Sequence, residues 1–241
     1  PNANTPNIGY AALEVNATGA WLDDTLIEDS TTVGVRLYFV DSTTTFRNMT
    51  VRNSGDPGQG PHEAGVSIRS SFFAPTFDGL EVSGSVGPGV HSTSGGAMQG
   101  SDWVLHNNSK QGIIVDRATV HIEGMHLADN GYSGAHVLDA RRVDFWNLTS
   151  ENNGASPGAS ESEQAGVYYK EANDVESSSG DVRCLNCTVS GSQGHGILAA
   201  DSVDLWLESI QLQGNNPNLP ALEIDNSKVM PAGASGRVHL T

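Results

Sequence analysis

A short pattern recurs along the chain: a glycine, then an alternating stretch whose first residue is apolar. The anchors are Gly9, Gly34, Gly65, Gly89, Gly112, Gly134, Gly166 and Gly196, with Ala221 as a ninth. Five of the intervals run 22 to 25 residues and three run 30 to 32. A base period in the low twenties with longer excursions is the mark of stacked structural repeats carrying loop insertions, and it excludes most single-core folds at once.

The columns behind the anchors give the element type. One position on stand Tyr10, Val35, Val66, Val90, Ile113, Ala135, Val167, Ile197 and Leu222. Three positions on stand Ala12, Leu37, Ile68, Ser92, Val115, Val137, Tyr169, Ala199 and Ile224. Apolar residues at every second place are the inward face of a strand. A second strand follows in each repeat, as in Val120-His121-Ile122 and Val203-Asp204-Leu205. A third follows that, as in Met49-Thr50-Val51 and Met125-His126-Leu127. Asn and Asp gather between strands, where left-handed turns favour them, as in Asp129-Asn130-Gly131 and Asn152-Asn153-Gly154. Three short parallel strands per repeat, stacked one strand spacing apart, predict an all-β, single-stranded right-handed parallel β-helix (a solenoid) of about nine coils. Such a rod is about 40 Å long at ~4.8 Å per coil. Residues 1–241 are expected to form one such domain, a module of a larger surface protein.

This pattern of glycine, alternating strand, Asp-containing turn and Val-X-Leu strand resembles the pectin-lyase-like superfamily over essentially the whole chain. The resemblance implies the fold and leaves activity open, because that fold carries lyases, hydrolases, epimerases, adhesins and tailspikes.

Charge and cysteines bound the setting. Asp and Glu total 28 against 12 Lys and Arg, a formal net charge of -16. A surface this acidic repels phosphate backbones and anionic lipid, so nucleic-acid and membrane-surface partners are not expected. No apolar run approaches the length of a membrane span. Cys184 and Cys187 lie three residues apart. In a straight strand they point to opposite faces about 10 Å apart, which predicts two separate buried thiols rather than a bridge. Asn-X-Ser/Thr triplets at Asn16, Asn48, Asn107, Asn147 and Asn186 point to a glycosylated protein, extracellular or at the cell surface. The start at Pro1 without Met reads as a processed form or a fragment. No metal site or cofactor is called for. Calcium at an acidic turn is the one compatible ion, since Asp116, Asp139, Asp201 and Asp225 recur where turns belong.

If the apolar columns face in, the columns between them face out. Coils three to seven then present Arg69, His91, Asp116, His136, Tyr168 and Lys170 on one face. Insertions at 54–63, 154–164 and about 171–181 border that face, where function usually lives. A polysaccharide lyase or epimerase needs a base for the sugar C5 proton, an acid for the leaving oxygen and a cation for the uronate carboxylate. His91 or His136 suits the base, Tyr168 the acid, and Arg69 or Lys170 the neutraliser. The same Arg69, His91, His136 and Tyr168 suit carbohydrate binding without turnover.

Two short motifs carry further resemblances. Pro61-His62-Glu63 resembles the tail of the Asp-Pro-His-Glu motif of mannuronan epimerases, with Gly60 in place of that family's catalytic Asp. Gly194-His195-Gly196 resembles the Gly-His-Gly of polygalacturonases, but the paired carboxylates that family requires about two coils upstream are missing from that column. Two functions stay open. One is a rigid surface module for spacing, assembly or carbohydrate contact, with a polysaccharide or neighbouring surface-protein domains as partners. The other is a lyase or C5-epimerase on an acidic polysaccharide. A trimeric phage-type spike is a third reading.

Overall fold

The anchor glycines recur because little else fits where successive coils turn into the sheet. A Cβ on Gly112 would stand 2.7 Å from the carbonyl oxygen of Gly134, and one on Gly166 would stand 2.2 Å from Val189 Cγ1. In the computed structural model the described residues are 11–16, 18–57, 63–69, 74–93, 96–170, 182–200, 205–225 and 238–240. Their regular structure is strand, apart from short 3-10 turns such as Ser162–Gln164.

The anchored strands form one nine-stranded sheet, from Ala11–Val15 to Leu222–Asp225, every neighbour parallel and each from the next coil. The remaining strands form a second, twelve-stranded sheet from Trp21–Asp23 to Val238–Leu240. The coils wind as a right-handed parallel β-helix. Val35, Val66, Val90, Ile113, Ala135, Val167, Ile197 and Leu222 stack in register as one inward column.

The first coil departs from the expected register. Leu13 stands opposite Val35 and Val15 opposite Leu37, so Leu13 and Val15 take the inward places assigned to Tyr10 and Ala12. Ala12 is exposed, and Tyr10 lies outside the described residues. An odd shift of three swaps the faces of a strand, and this register buries two branched side chains where the other would bury an alanine.

The second and third strands of most coils run together as one strand of eight to ten residues, such as Arg142–Glu151. Each is bent by a residue at positive φ: Asn48, Gly79, Asp102, Gly124 or Asn147. The bend resets the alternation, so inward residues fall three apart across it. Phe46 and Met49, Phe77 and Leu80, Ile122 and Met125, and Phe145 and Leu148 are all buried. Cys184 and Cys187 obey the same rule around Asn186, at φ 54. Their Cα atoms are 5.9 Å apart and they form a disulfide, which corrects the expectation of two separate thiols. The straight-strand premise was at fault.

Core packing follows the stack. Phe46 lies on Phe77 at 4.6 Å between centroids, and Phe77 meets the edge of Trp103 at 5.6 Å. Trp103 Nε1 donates to the carbonyl of Phe77 at 2.9 Å, which satisfies the indole N–H inside the rod. At one corner, buried Asn108, Asn130 and Asn153 form a ladder. Asn108 Nδ2 donates to Asn130 Oδ1 at 3.0 Å, and Asn130 Nδ2 donates to Asn153 Oδ1 at 2.9 Å. The same oxygens accept backbone N–H groups, so the corner's buried donors are met.

Candidate functional site

Outward positions of the nine-stranded sheet form a second set of columns. Ser67, His91, Ile114, His136, Tyr168, Leu198 and Glu223 follow one another, strand by strand. Two residues along, Arg69 pairs with Thr93, and Leu138 lies between Asp116 and Lys170. All six residues read onto one face from the sequence therefore share it, and the five given binding or catalytic roles are among them. They fall into two groups. Arg69 and His91 sit on neighbouring strands, as do His136, Tyr168 and Lys170. Ile114 separates the groups, with His91 and His136 two strand spacings, about 10 Å, apart.

This face is partly covered. Tyr168, expected to be solvent-facing, is only 7% exposed and packs against Ala165 and Leu198. The two histidines are also partly desolvated. Burial pushes His91 down to about 4, with Arg69 adding to the effect and Asp116 opposing it. Burial likewise pushes His136 down to about 4, with Lys170 adding and Glu163 opposing. Both imidazoles are therefore neutral at neutral pH. The His136 ring meets the edge of Tyr168 at 4.7 Å, and Gln111 Nε2 donates to His136 Nδ1 at 3.3 Å. Asp116 is engaged by Thr93 Oγ1 at 3.2 Å and by Arg117 at 3.1 Å. Arg69 and Lys170 have no ion-pair partner among the described residues. Buried Gln111 Oε1 also has no hydrogen-bond partner there.

His195 carries more than its motif suggested. It is 1% exposed. Its Nδ1 donates to the carbonyl of Pro220 at 2.9 Å, and its Nε2 faces Glu161 Oε1 at 2.8 Å and Glu223 Oε2 at 3.6 Å. The two carboxylates at the ring come from a loop insertion and from the following coil, not from about two coils upstream where that motif's pair was expected. In the other motif Glu63 is buried and ion-paired to Lys110, while Pro61 and His62 lie outside the described residues. Among the acidic residues assigned to turns, Asp139 holds positive φ, Asp116 faces outward from its strand instead, and Asp201 lies outside the described residues.

All five sequon asparagines are exposed. Four of them, Asn48, Asn107, Asn147 and Asn186, hold φ between 48 and 54 at bends of the coil. Asn48 Nδ2 donates to Asp24 Oδ1 at 2.9 Å, and Asn186 Nδ2 to Asn147 Oδ1 at 3.2 Å. At three of these bends a left-handed Asn, an inward Met, Leu or Cys and an outward Thr produce the triplet as coil geometry.

The outer face of the twelve-stranded sheet holds three of the four tryptophans, a grouping the sequence reading missed. Trp21 is 61%, Trp146 40% and Trp206 38% exposed. Their rings lean on neighbours along the rod. Trp206 stacks on His239 at 4.6 Å, Trp146 meets His121 at 5.1 Å, and Arg47 lies over Trp21 at 4.5 Å.

Comparison with known proteins follows the fold. The family model described as "Right handed beta helix region" matches residues 64–217. No curated protein matches the chain. Among solved structures, the chain is similar to the A-module of the mannuronan C-5 epimerase AlgE4 from Azotobacter vinelandii. The TM-score is 0.51 at 14% identity, over 93% of this chain and 64% of that module. It therefore spans less than two thirds of the module, and at that identity the likeness shows the fold alone. A second likeness, to the plasmid-mediated fluoroquinolone resistance protein QnrB1, has a TM-score of 0.40 at 12% identity over 90% of this chain and 91% of that one, and carries no argument. Among the described residues no helix is long and apolar enough to cross a membrane.

Proposed function

We propose that this chain, which belongs to the right-handed β-helix family, is a rigid module of an extracellular or cell-surface protein. It contacts carbohydrate through the outer face of its nine-stranded sheet and does not turn it over. The observation that carries the reading is the row itself. His91, His136 and Tyr168 stand on outward rungs of one sheet, with Arg69 and Lys170, which have no ion-pair partner among the described residues, beside them. Rings and fixed donors on a rigid scaffold suit sugar hydroxyls and ring faces.

Chemistry at this row is weakly supported by its bases. A general base works best when its pKa lies near the operating pH. Imidazoles held at about 4 are poor acceptors for a sugar C5 proton. The disulfide supports the compartment, because such bonds persist in oxidising surroundings. The sequons add less, since at most of them coil geometry also places the Asn. Neighbouring domains of the same surface protein remain partners in this reading.

The second reading is a lyase or C5-epimerase on an acidic polysaccharide, and one observation favours it. His136, Tyr168 and Lys170 lie on neighbouring strands, as base, acid and carboxylate neutraliser would. One experiment separates the two. The purified protein is offered alginate, polygalacturonate and glycosaminoglycans, following absorbance at about 235 nm for unsaturated uronate and NMR for C5 inversion. Binding with neither signal is expected. Turnover that disappears in His136→Ala would overturn the non-catalytic reading in favour of the enzyme.

A further inference from the structure

We infer that residues 155–163 are an appended recognition loop: a segment that can be cut from the rod without disturbing its coils, and that gives the outer face of the nine-stranded sheet its ligand selectivity. The recognition half rests on the carbohydrate reading above, and the excision half does not.

Backbone hydrogen bonds fix which corner residues are equivalent from coil to coil. Gly131 N donates to the carbonyl of Asn108 at 2.8 Å, Gly154 N to that of Asn130 at 3.0 Å, and Gln193 N to that of Asn153 at 3.1 Å. Gly131, Gly154 and Gln193 therefore hold one place. Tyr132 N donates to the carbonyl of Lys110 at 3.1 Å, and Gly194 N to that of Gln164 at 2.9 Å. Tyr132, Gln164 and Gly194, each two residues before its anchor glycine, hold the next place. In the flanking coils the two places are consecutive, as Gly131-Tyr132 and Gln193-Gly194. In this coil residues 155–163 stand between them.

The chain nonetheless closes up at that point. A Cβ on Gly154 would stand 2.5 Å from Gln164 Cα. The two Cα atoms are therefore at most about 4 Å apart, close to the ~3.8 Å of consecutive residues. Gly154 holds φ 87, where glycine is favoured, and turns the chain out of the coil. The earlier insertion leaves by the same device, with Gly55 at φ 115 against Glu63. A loop whose ends touch adds to a scaffold without lengthening it.

The loop carries its own bonds and reaches the outer face. Ser160 N and Ser160 Oγ both donate to Glu163 Oε2 at 2.8 Å, and Ala159 N donates to the carbonyl of Ser156 at 3.2 Å. Glu161 Oε1 lies 2.8 Å from His195 Nε2, and Glu163 is near enough to His136 to act on it, as Lys170 is. Arg69 and Lys170 can only donate hydrogen bonds. Sugar hydroxyls need acceptors as well, and the loop supplies carboxylates at the Tyr168 end of the row. Loops on a rigid scaffold are where selectivity is built.

Two excisions from the otherwise full chain test the register. Removing 155–163 joins Gly154 to Gln164 and is expected to keep the unfolding midpoint within about 5 °C of native. Removing 155–164 shortens the corner by one residue more and pulls the next strand out of register. That excision is expected to lower the midpoint by more than about 10 °C. Recognition is read by calorimetry with alginate, polygalacturonate and glycosaminoglycan oligosaccharides. The 155–163 excision is expected to weaken the native affinity at least about tenfold, and Glu163→Ala in the full chain about fivefold with its midpoint unchanged. An unfolded 155–163 excision, or two excisions of equal stability, would overturn the appended loop. Native affinity in the 155–163 excision or in Glu163→Ala would contradict its recognition role. A native chain that binds none of these probes would remove the carbohydrate reading and the recognition role together, while the excision result stands on its own.

Discussion

The two sheets share an inward grammar and differ outside. On the twelve-stranded sheet the outer face is open. Trp146 and Trp206 keep more than a third of their surface in water, and Arg142 pairs with Asp144 at 2.8 Å. On the nine-stranded sheet the outward Tyr168 is nearly buried, packed against Ala165 at the end of an insertion and Leu198 on the next strand. The strands are equivalent. At the Tyr168 end the difference comes with the insertion that ends at Ala165, and both histidines of the row are neutral at neutral pH. In a solenoid, strand pattern builds the rod and insertions build the site.

Paired substitutions on the two faces can break that comparison. Tyr168→Ala removes a covered ring and leaves a void against Ala165 and Leu198. It is expected to cost about 3 kcal/mol by denaturant unfolding, as for a buried aromatic. Trp206→Ala removes a larger ring from the open face and is expected to cost only about 1 kcal/mol, because much of that surface is already hydrated. Equal costs would mean that the covering contributes nothing. A cost for Trp206→Ala near that for Tyr168→Ala would also promote the open face to a packed surface and call for a partner there.

The rod was legible in the sequence because the glycine anchors and the apolar columns are local and repeat. Nine coils, their parallel order and the inward column from Val35 to Leu222 follow from spacing alone. The first coil was misread because Gly9 matches the motif while the apolar pattern that sets register begins at Leu13. The Cys184–Cys187 bridge was hidden by treating each strand as straight. The signal was present, since Phe46 and Met49 or Phe145 and Leu148 already show apolar pairs three apart across an Asn.

The outward row was also legible, and all five candidate residues share one face. Its covering was not. No periodicity reveals that Ala165 packs on Tyr168, or that Glu161 reaches a histidine 34 residues away in sequence. The exposed tryptophans are hidden for a different reason: they fall in outward columns of the second sheet, where no glycine anchor marks the register. Sequons at Asn48, Asn147 and Asn186 show the converse, a motif whose residues the fold itself calls for at its bends.

The difference between the two faces is tested most directly by NMR titration of the histidine rings, with His91→Gln and His136→Gln used to assign the signals. Midpoints for His91 and His136 near 4 are expected, as burial in the covered row demands. Midpoints at the ordinary value near 6.5 would show that water reaches the row, and would contradict a covered site on the nine-stranded sheet.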